Sequence, residues 1–359
     1  MRKILEAGIS RLMYSSNYSD VVNISFCAYA LNFMDVRVHQ PVRAMRMLGA
    51  NVKLYARDFQ MMQGIPADEP KILLIQRAFL SKEGWPQAVK AAIKQGWLMV
   101  VEYDDYPENP FNAEKRANSL DWERFKMCHA VQASTPQLSE AFLEHNPEIG
   151  LFENQLFMTP DPVARNDGQV RIFFGALNRK TAWEPLVKTY NKVLKANPTA
   201  QAVVVHDKEF FEALETKNKV FKPSVQYDEY LRILHSCHIC LQPLDDTKFN
   251  RYKSDIKFLE AGAGGLAVVA SPVVYSNTIE DGRTGIIARG PKEWEKSLSS
   301  LIQNAPLRQR LGANAKNYVL NNRMLMQHAH KRLDWYRHLW ANRKALNERL
   351  FKLYPDLKP

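Results

Sequence analysis

Residues 249–271 read FNRYKSDIKFLEAGAGGLAVVAS, two lysines, a serine, an aspartate and a glutamate set directly before a glycine-rich turn and an apolar run. A helix fits the first part. Ser254 or Asp255 can cap it, it runs through Phe258 and Glu260, and the glycines end it. At about 100° per residue, Lys257 and Glu260 each fall within roughly 40° of Lys253 and the three span roughly 60°, so they share a face, with Ile256, Leu259 and Ala263 opposite. HICLQPL precedes this helix and LAVVAS follows it, so the charged face is expected to look out of the core at the carboxyl end of a strand. Two uses suit such a face. Helix-start N–H groups, Ser254 and Lys253 can hold phosphate oxygens, with Lys257 adding a cation and Glu260 accepting from a ribose diol. Alternatively the face is an ordinary surface with a Lys257–Glu260 ion pair worth about 0.3 kcal/mol.

Outward from that stretch, short β-rich runs alternate with helical patterns. The runs are VNISFCA (22–28), NVKLYA (51–56), KILLIQ (71–76), WLMVVEY (97–103) and HAVQAS (129–134), then RIFFG (171–175), QAVVVH (201–206), HICLQPL (238–244), LAVVAS (266–271) and GIIA (285–288). Such alternation calls for parallel sheets covered by helices, and 359 residues suit two domains. The expected architecture is α/β, two Rossmann-like doubly wound domains facing each other across a cleft. The Pro- and Asp-rich stretch 157–169 is the seam, giving an N-terminal domain over 1–160, a C-terminal domain over 161–325 and a basic helical segment over 326–359 that packs back on the N-terminal domain. Ligands in open sheets of this kind bind at the carboxyl ends of the strands.

Composition narrows the function classes. The chain is 46% hydrophobic and 24% charged, with no stretch of about 18 apolar residues, and residues 1–16 lack the apolar region of a secretory leader. A cytoplasmic location is expected, at the inner face of the membrane if the C-terminus docks there. Of the net charge of +11, most sits in residues 307–359, where twelve Lys and Arg face three Asp and Glu. Trp335, Tyr336, Leu339 and Trp340 lie there at helical spacing, so this segment reads either as a basic amphipathic helix on an anionic membrane or as a terminal helix packed on its own protein. Charge gathered at one end without a stacking motif argues against nucleic acid as partner. Cys237 and Cys240 form a CxxC beside His235 and His238, but the strand pattern sends neighbours to opposite faces and no second ligand pair follows, so no metal site is expected.

The stretch KSDIKFLEAGAGGLAVVASPVVYSNTIEDGRTGII resembles the donor-binding region of glycosyltransferases with the GT-B fold, in particular the family 4-like retaining enzymes. SCHICLQPLDDTKFNRYKS and RIFFGALNRKTAWEPL extend the resemblance upstream, over residues 171–325 as a whole, and FMDVRVHQPVRAMRMLGANVKLYA resembles the first loop and helix of the group. The resemblance implies a metal-independent, cofactor-free hexosyltransferase that moves a sugar from a nucleoside-diphosphate-sugar to a glycan or lipid-linked acceptor in bacterial surface polysaccharide synthesis. Glu260, Ser254, Lys253, Gly175 and Asp255 are then the donor-binding residues; Lys257, Arg179, Lys180 and Asp104 act at the reacting centre, and Asp105 and Arg37 lie on the acceptor side. Arg179 and Lys180 read equally as solvated loop residues, and EYDDYPENP as a turn. Two departures stand out. Asp104–Asp105 replaces the His-Asp of many relatives, and Tyr252 occupies the position of the first Glu in the usual Glu-x7-Glu pattern. A nucleotide-sugar epimerase and a catalytically silent nucleotide-binding subunit are the alternatives.

Overall fold

The computed structural model describes residues 21–28, 34–77, 80–108, 122–161, 163, 165 and 168–359. The leader reading at 1–16 and parts of the 102–110 turn and the 157–169 seam lie outside the described residues. The first half holds β1 (Asn23–Ala28), β2 (Asn51–Ala56), β3 (Lys71–Gln76), β4 (Leu98–Tyr103), β5 (Ala130–Ala133) and β6 (Ile149–Leu151). The second holds β7 (Arg171–Phe174), β8 (Gln201–Val205), β9 (Lys219–Lys222), β10 (Ile239–Gln242), β11 (Ala267–Ala270) and β12 (Ile286–Ile287). Between the strands of the first half lie α1 (Gln40–Met47), α2 (Gly84–Lys94), α3 (Glu123–Lys126) and α4 (Pro136–Leu143). The second half carries α5 (Lys180–Trp183), α6 (Val187–Ala196), α7 (Lys208–Ala213), α8 (Tyr227–His235), α9 (Ile256–Ala263), α10 (Pro291–Gln303) and α11 (Ala305–Asn322), and α12 (Leu325–Ala341) and α13 (Arg343–Leu353) close the chain.

Both sheets are six-stranded and parallel, with orders β2-β1-β3-β4-β5-β6 and β12-β11-β10-β7-β8-β9. The order reverses between β1 and β3 in one and between β7 and β10 in the other, which opens a crevice at the strands' carboxyl ends in each sheet. All ten strands read from the sequence are present. Pattern reading passed over β6 and β9, because these short edge strands carry half-exposed residues rather than continuous apolar runs. The central strands are covered on both faces: Ile72, Leu73, Leu74 and Ile75 of β3 are fully buried, and each such side chain contributes about 1.5–3 kcal/mol. On the second sheet, α6 and α10 cover one face while α8, α9 and α11 cover the other.

The chain crosses between the halves twice. Residues 152–170 lead out, and α12 leads back after a bridge in which Leu156 N donates to Arg323 O at 3.0 Å and Leu325 N to Leu156 O at 2.9 Å. Leu333, Tyr336, Leu339 and Trp340 of α12 join the core of the first sheet with Val22, Ile24, Phe26 and Val42. The membrane reading of this aromatic stripe is thereby corrected, since the stripe is core. Part of the basic surplus is interior too. Arg308, Arg323 and Arg332 are buried, and Arg349 donates to Cys128 O and His129 O. Among the described residues no helix is long and apolar enough to cross a membrane.

Candidate functional site

The second sheet builds its rim from the crevice between β7 and β10. Gly175 follows β7, and any side chain there would run into the rings of Phe173 and Tyr230. Asn178 then turns with φ +55°, one of several non-glycine residues in the left-handed region at loop positions, with Arg77 and His206 each immediately after a strand. This loop delivers Arg179 to the crevice, where it meets Lys257, Tyr230 and Tyr275. Lys257 enters from the first turn of α9. Its ammonium donates to Tyr230 Oη at 2.9 Å and Glu260 Oε2 at 3.2 Å and lies 4.2 Å from the Tyr230 ring centroid. Among the described residues Arg179 has no ion pair, so the crevice carries a net positive charge.

Helix α9 begins and ends close to where the sequence places it, with Gly265 at φ +71° after its last turn. Leu259 and Ala263 are buried as read. The exposed charged face needs correction. Lys253 is extended and precedes the helix, and the Glu260 side chain is only 3% exposed against 31% for Lys257. Glu260 faces a cleft of about 290 Å³ between the two halves, shared with Tyr227 of α8 and Asp35, His39, Gln40 and Arg43 of the first half.

Asp255 and Lys180 depart from their expected roles. Asp255 is buried and chelated by Arg323, at 2.6 Å to Oδ2 and 3.0 Å to Oδ1, and accepts from Thr278 at 2.7 Å, so its carboxylate anchors α9 and makes no side-chain cap. Lys180, 57% exposed, pairs with Glu209 at 2.6 Å and does not join Arg179 and Lys257.

The first sheet presents mostly neutralised charge. Asp104, after β4, is held by both Nε and Nη2 of Arg77 at 2.8 and 3.1 Å. Burial alone would raise its carboxyl, yet Arg77 holds it below the usual carboxylate range. Asp105 faces Lys253 of the second half at 3.6 Å. Burial raises the Asp105 carboxyl and depresses the Lys253 ammonium, Asp105 partly offsetting the latter and Arg179 adding to it. Arg37 is not on an acceptor-facing surface as expected. It is buried, with Nε donating to Glu102 at 2.6 Å and Nη1 to Phe152 O and Asn154 Oδ1.

Lys253–Asp105 is part of a clasp between the halves. Tyr252 stacks on Tyr106 with centroids 4.3 Å apart and planes at 17°, Thr135 Oγ1 donates to Tyr252 O at 3.2 Å, and Lys248 lies 3.5 Å from Glu108. Tyr252, the departure from the Glu-x7-Glu pattern, therefore has a packing partner across the cleft. Sequence reasoning missed Arg77, Asn154, Tyr227, Tyr230 and Arg323. Arg77 had one usable signal, a basic residue directly after the apolar strand KILLIQ; the others had none.

The CxxC carries no convergent ligands. All four cysteines are buried thiols, with burial pushing Cys237 and Cys240 up to about 12. The His235 ring donates to Glu260 O, and His238 Nδ1 accepts from Arg171 N. Among the described residues no group of three or more His, Cys, Asp or Glu is placed to hold a metal ion.

With this geometry in place, comparison with known proteins gives a consistent picture. Residues 168–304 match the family model of the glycosyl transferases group 1, which contains the α9 stretch and both walls of the crevice. No curated protein sequence matches the chain. The fold is GT-B, as in several solved glycosyltransferases. Sucrose-phosphate synthase from Thermosynechococcus elongatus superposes with a TM-score of 0.62 at 14% identity, over 89% of this chain and 99% of the other. A glycosyltransferase from Rickettsia africae gives 0.60 at 15% identity, over 90% and 100%. Anabaena HepE, solved in complex with UDP and glucose, gives 0.60 at 12% identity, over 87% and 98%.

Proposed function

We propose that this GT-B chain is a metal-independent glycosyltransferase that takes a nucleoside-diphosphate-sugar on its second half and a glycan or lipid-linked acceptor on its first. The observation that carries the reading is the meeting of Arg179 and Lys257 in one crevice at the reversal of strand order, with Glu260 one turn further along α9 at the interdomain cleft. The diphosphate sits against Arg179, Lys257 and the first-turn N–H groups of α9, where two cations and a helix N-terminus suit an anion. Glu260 accepts from the ribose diol, which releases Lys257 from its pair with Glu260 to meet phosphate oxygen. As the sugar–oxygen bond breaks, charge growing on the leaving diphosphate is stabilised by groups already in place. Retention of anomeric configuration belongs to the same proposal and rests on the family resemblance, as does a role in surface polysaccharide synthesis.

Asp104 is pinned by Arg77 and so serves better to orient sugar hydroxyls, as a charged acceptor, than to take up a proton. The clamp on Asp104 and the presence of Tyr252 also favour a second reading, a nucleotide-binding subunit without turnover. A panel of UDP-, GDP- and ADP-sugars, with and without glycan acceptors, separates the cases by nucleoside diphosphate release. Release that requires an acceptor is the expected result. Sugar isomerisation without acceptor would mean an epimerase, saturable binding without release the silent subunit, and no binding at all would end the proposal.

A further inference from the structure

The connector that leaves the first sheet contains Asn154, a buried residue the reaction scheme above does not use. Its side chain sits between two groups of different kinds. On one side Arg37 Nη1 lies 3.1 Å from Asn154 Oδ1; on the other Asn154 Nδ2 lies 2.6 Å from Ser254 Oγ. An arginine guanidinium has donors and no acceptor, so the atom facing Arg37 must be the amide oxygen. This fixes the amide's orientation, which is otherwise a matter of assignment. The nitrogen therefore faces Ser254 and donates to it. A hydroxyl that accepts from Asn154 is left with its own proton to give elsewhere, and among the described residues nothing accepts it.

Ser254 stands between Lys253 and Asp255, three residues before Lys257. Asn154 also holds this segment through its backbone, because Arg323 donates to Asn154 O at 2.8 Å while chelating Asp255. At the far end of the relay, Glu102 of β4 orients Arg37 through its Nε. The whole series runs in one direction, from the Arg37 guanidinium through the Asn154 amide to the Ser254 hydroxyl.

We propose that Asn154 is a positioning residue that sets the Ser254 hydroxyl as a hydrogen-bond donor to a phosphate oxygen of the bound nucleoside diphosphate. The relay ties the interior of the first half to the phosphate site on the second, and the inference rests on the donor-site reading given above. Asn154→Asp tests it with almost no change in shape. The carboxylate still accepts from Arg37, but its second oxygen now draws the Ser254 proton inward and turns the hydroxyl's lone pairs toward the phosphate.

The measurement is calorimetric titration of the intact protein with UDP, GDP and ADP, using whichever binds the unsubstituted chain, on N154D, S254A, S254T and the N154D/S254A double variant, with melting temperatures recorded alongside. N154D and S254A are each expected to weaken binding about tenfold or more, as for a lost hydrogen bond to a charged group. S254T keeps the hydroxyl and should stay within about threefold of the unsubstituted chain. The double variant should bind no worse than the weaker single one, since both changes remove the same bond. A purely structural role for Asn154 would lower the melting temperature and leave affinity unmoved. Should N154D not fold, N154S, too short to span from Arg37 to Ser254, carries the same expectation. Binding by N154D equal to that of the unsubstituted chain, or losses that multiply in the double variant, would overturn the positioning role while leaving the donor site intact. Absence of nucleotide binding by the unsubstituted chain would instead sink the donor-site reading itself, and this inference with it.

Discussion

The two rims that face each other across the cleft are built on similar parallel sheets and use charge in opposite ways. On the first half, Asp104 is chelated by Arg77 and Arg37 by Glu102 within their own half, and Asp105 pairs with Lys253 across the cleft, so the carboxylates there already have cations. On the second, Arg179 has no ion pair among the described residues, and the carboxylate partner of Lys257 sits on its own helix. The first rim's carboxylates thus already have cationic partners, while the second rim is left short of negative charge. In the proposed function that difference assigns the anionic donor to the second rim and its partner to the first.

The contrast can be broken most forcefully by opening a closed pair. Arg37→Met leaves Glu102 buried without its cation, and removal of one partner of a buried pair costs about 3–5 kcal/mol. Urea unfolding should show that loss; a change under about 1 kcal/mol would mean the first rim is not held together by its own charges.

The strand-start histidines sharpen the same comparison. His129 Nδ1 accepts from Met99 N at 2.8 Å and His238 Nδ1 from Arg171 N at 3.0 Å, one in each half. His129 also meets Asn347 of α13 at 3.0 Å, and burial lowers it from 6.5 to about 4. Between these values the unfolded chain binds a proton that the folded chain does not. Stability should therefore be full above about pH 6.5 and fall as pH drops toward 4, by up to about 3 kcal/mol from this residue. The check is the urea midpoint against pH, which should be flatter in His129→Asn over that window.

Smaller effects are expected at the clasp and on the open surface. Tyr252→Ala removes the stack on Tyr106, and such pairs are worth about 0.5–1.5 kcal/mol beyond their buried area; the thermal unfolding profile should lose cooperativity between the halves if the stack couples them. Lys180→Ala should leave both nucleotide affinity and the urea midpoint essentially unchanged, because its pair with Glu209 is exposed. A strong loss of affinity would restore Lys180 to the diphosphate site.

The same contrast explains what the sequence disclosed. The second rim draws Lys253, Ser254, Lys257 and Glu260 from one turn-and-helix stretch, which spacing alone brought to notice, whereas Arg179, on the loop after β7, came from the family resemblance. The first rim is assembled from residues far apart, Arg37 with Glu102 and Arg77 with Asp104, and the tie between the rims joins Asn154 to Ser254 a hundred positions on. No periodicity links such pairs, which is why Arg37 read as an acceptor-side residue. Glu260 and Asp255 show the same limit, since helical angle gave the face of Glu260 but not Tyr227 beside it, and the capping reading of Asp255 gave no sign of Arg323. The aromatic stripe of α12 resembled a membrane face because amphipathicity records that a stripe is covered, without recording by what.

The central claim is that the positive crevice on the second half binds the diphosphate of an activated sugar. Calorimetric titration of the intact protein with UDP, GDP and ADP, repeated on Arg179→Ala and Lys257→Ala, tests it most directly. One of the three nucleotides should bind saturably, and each substitution should weaken it about 10- to 100-fold in a chain that still unfolds in a single urea transition. Unchanged affinity in both variants would contradict the account.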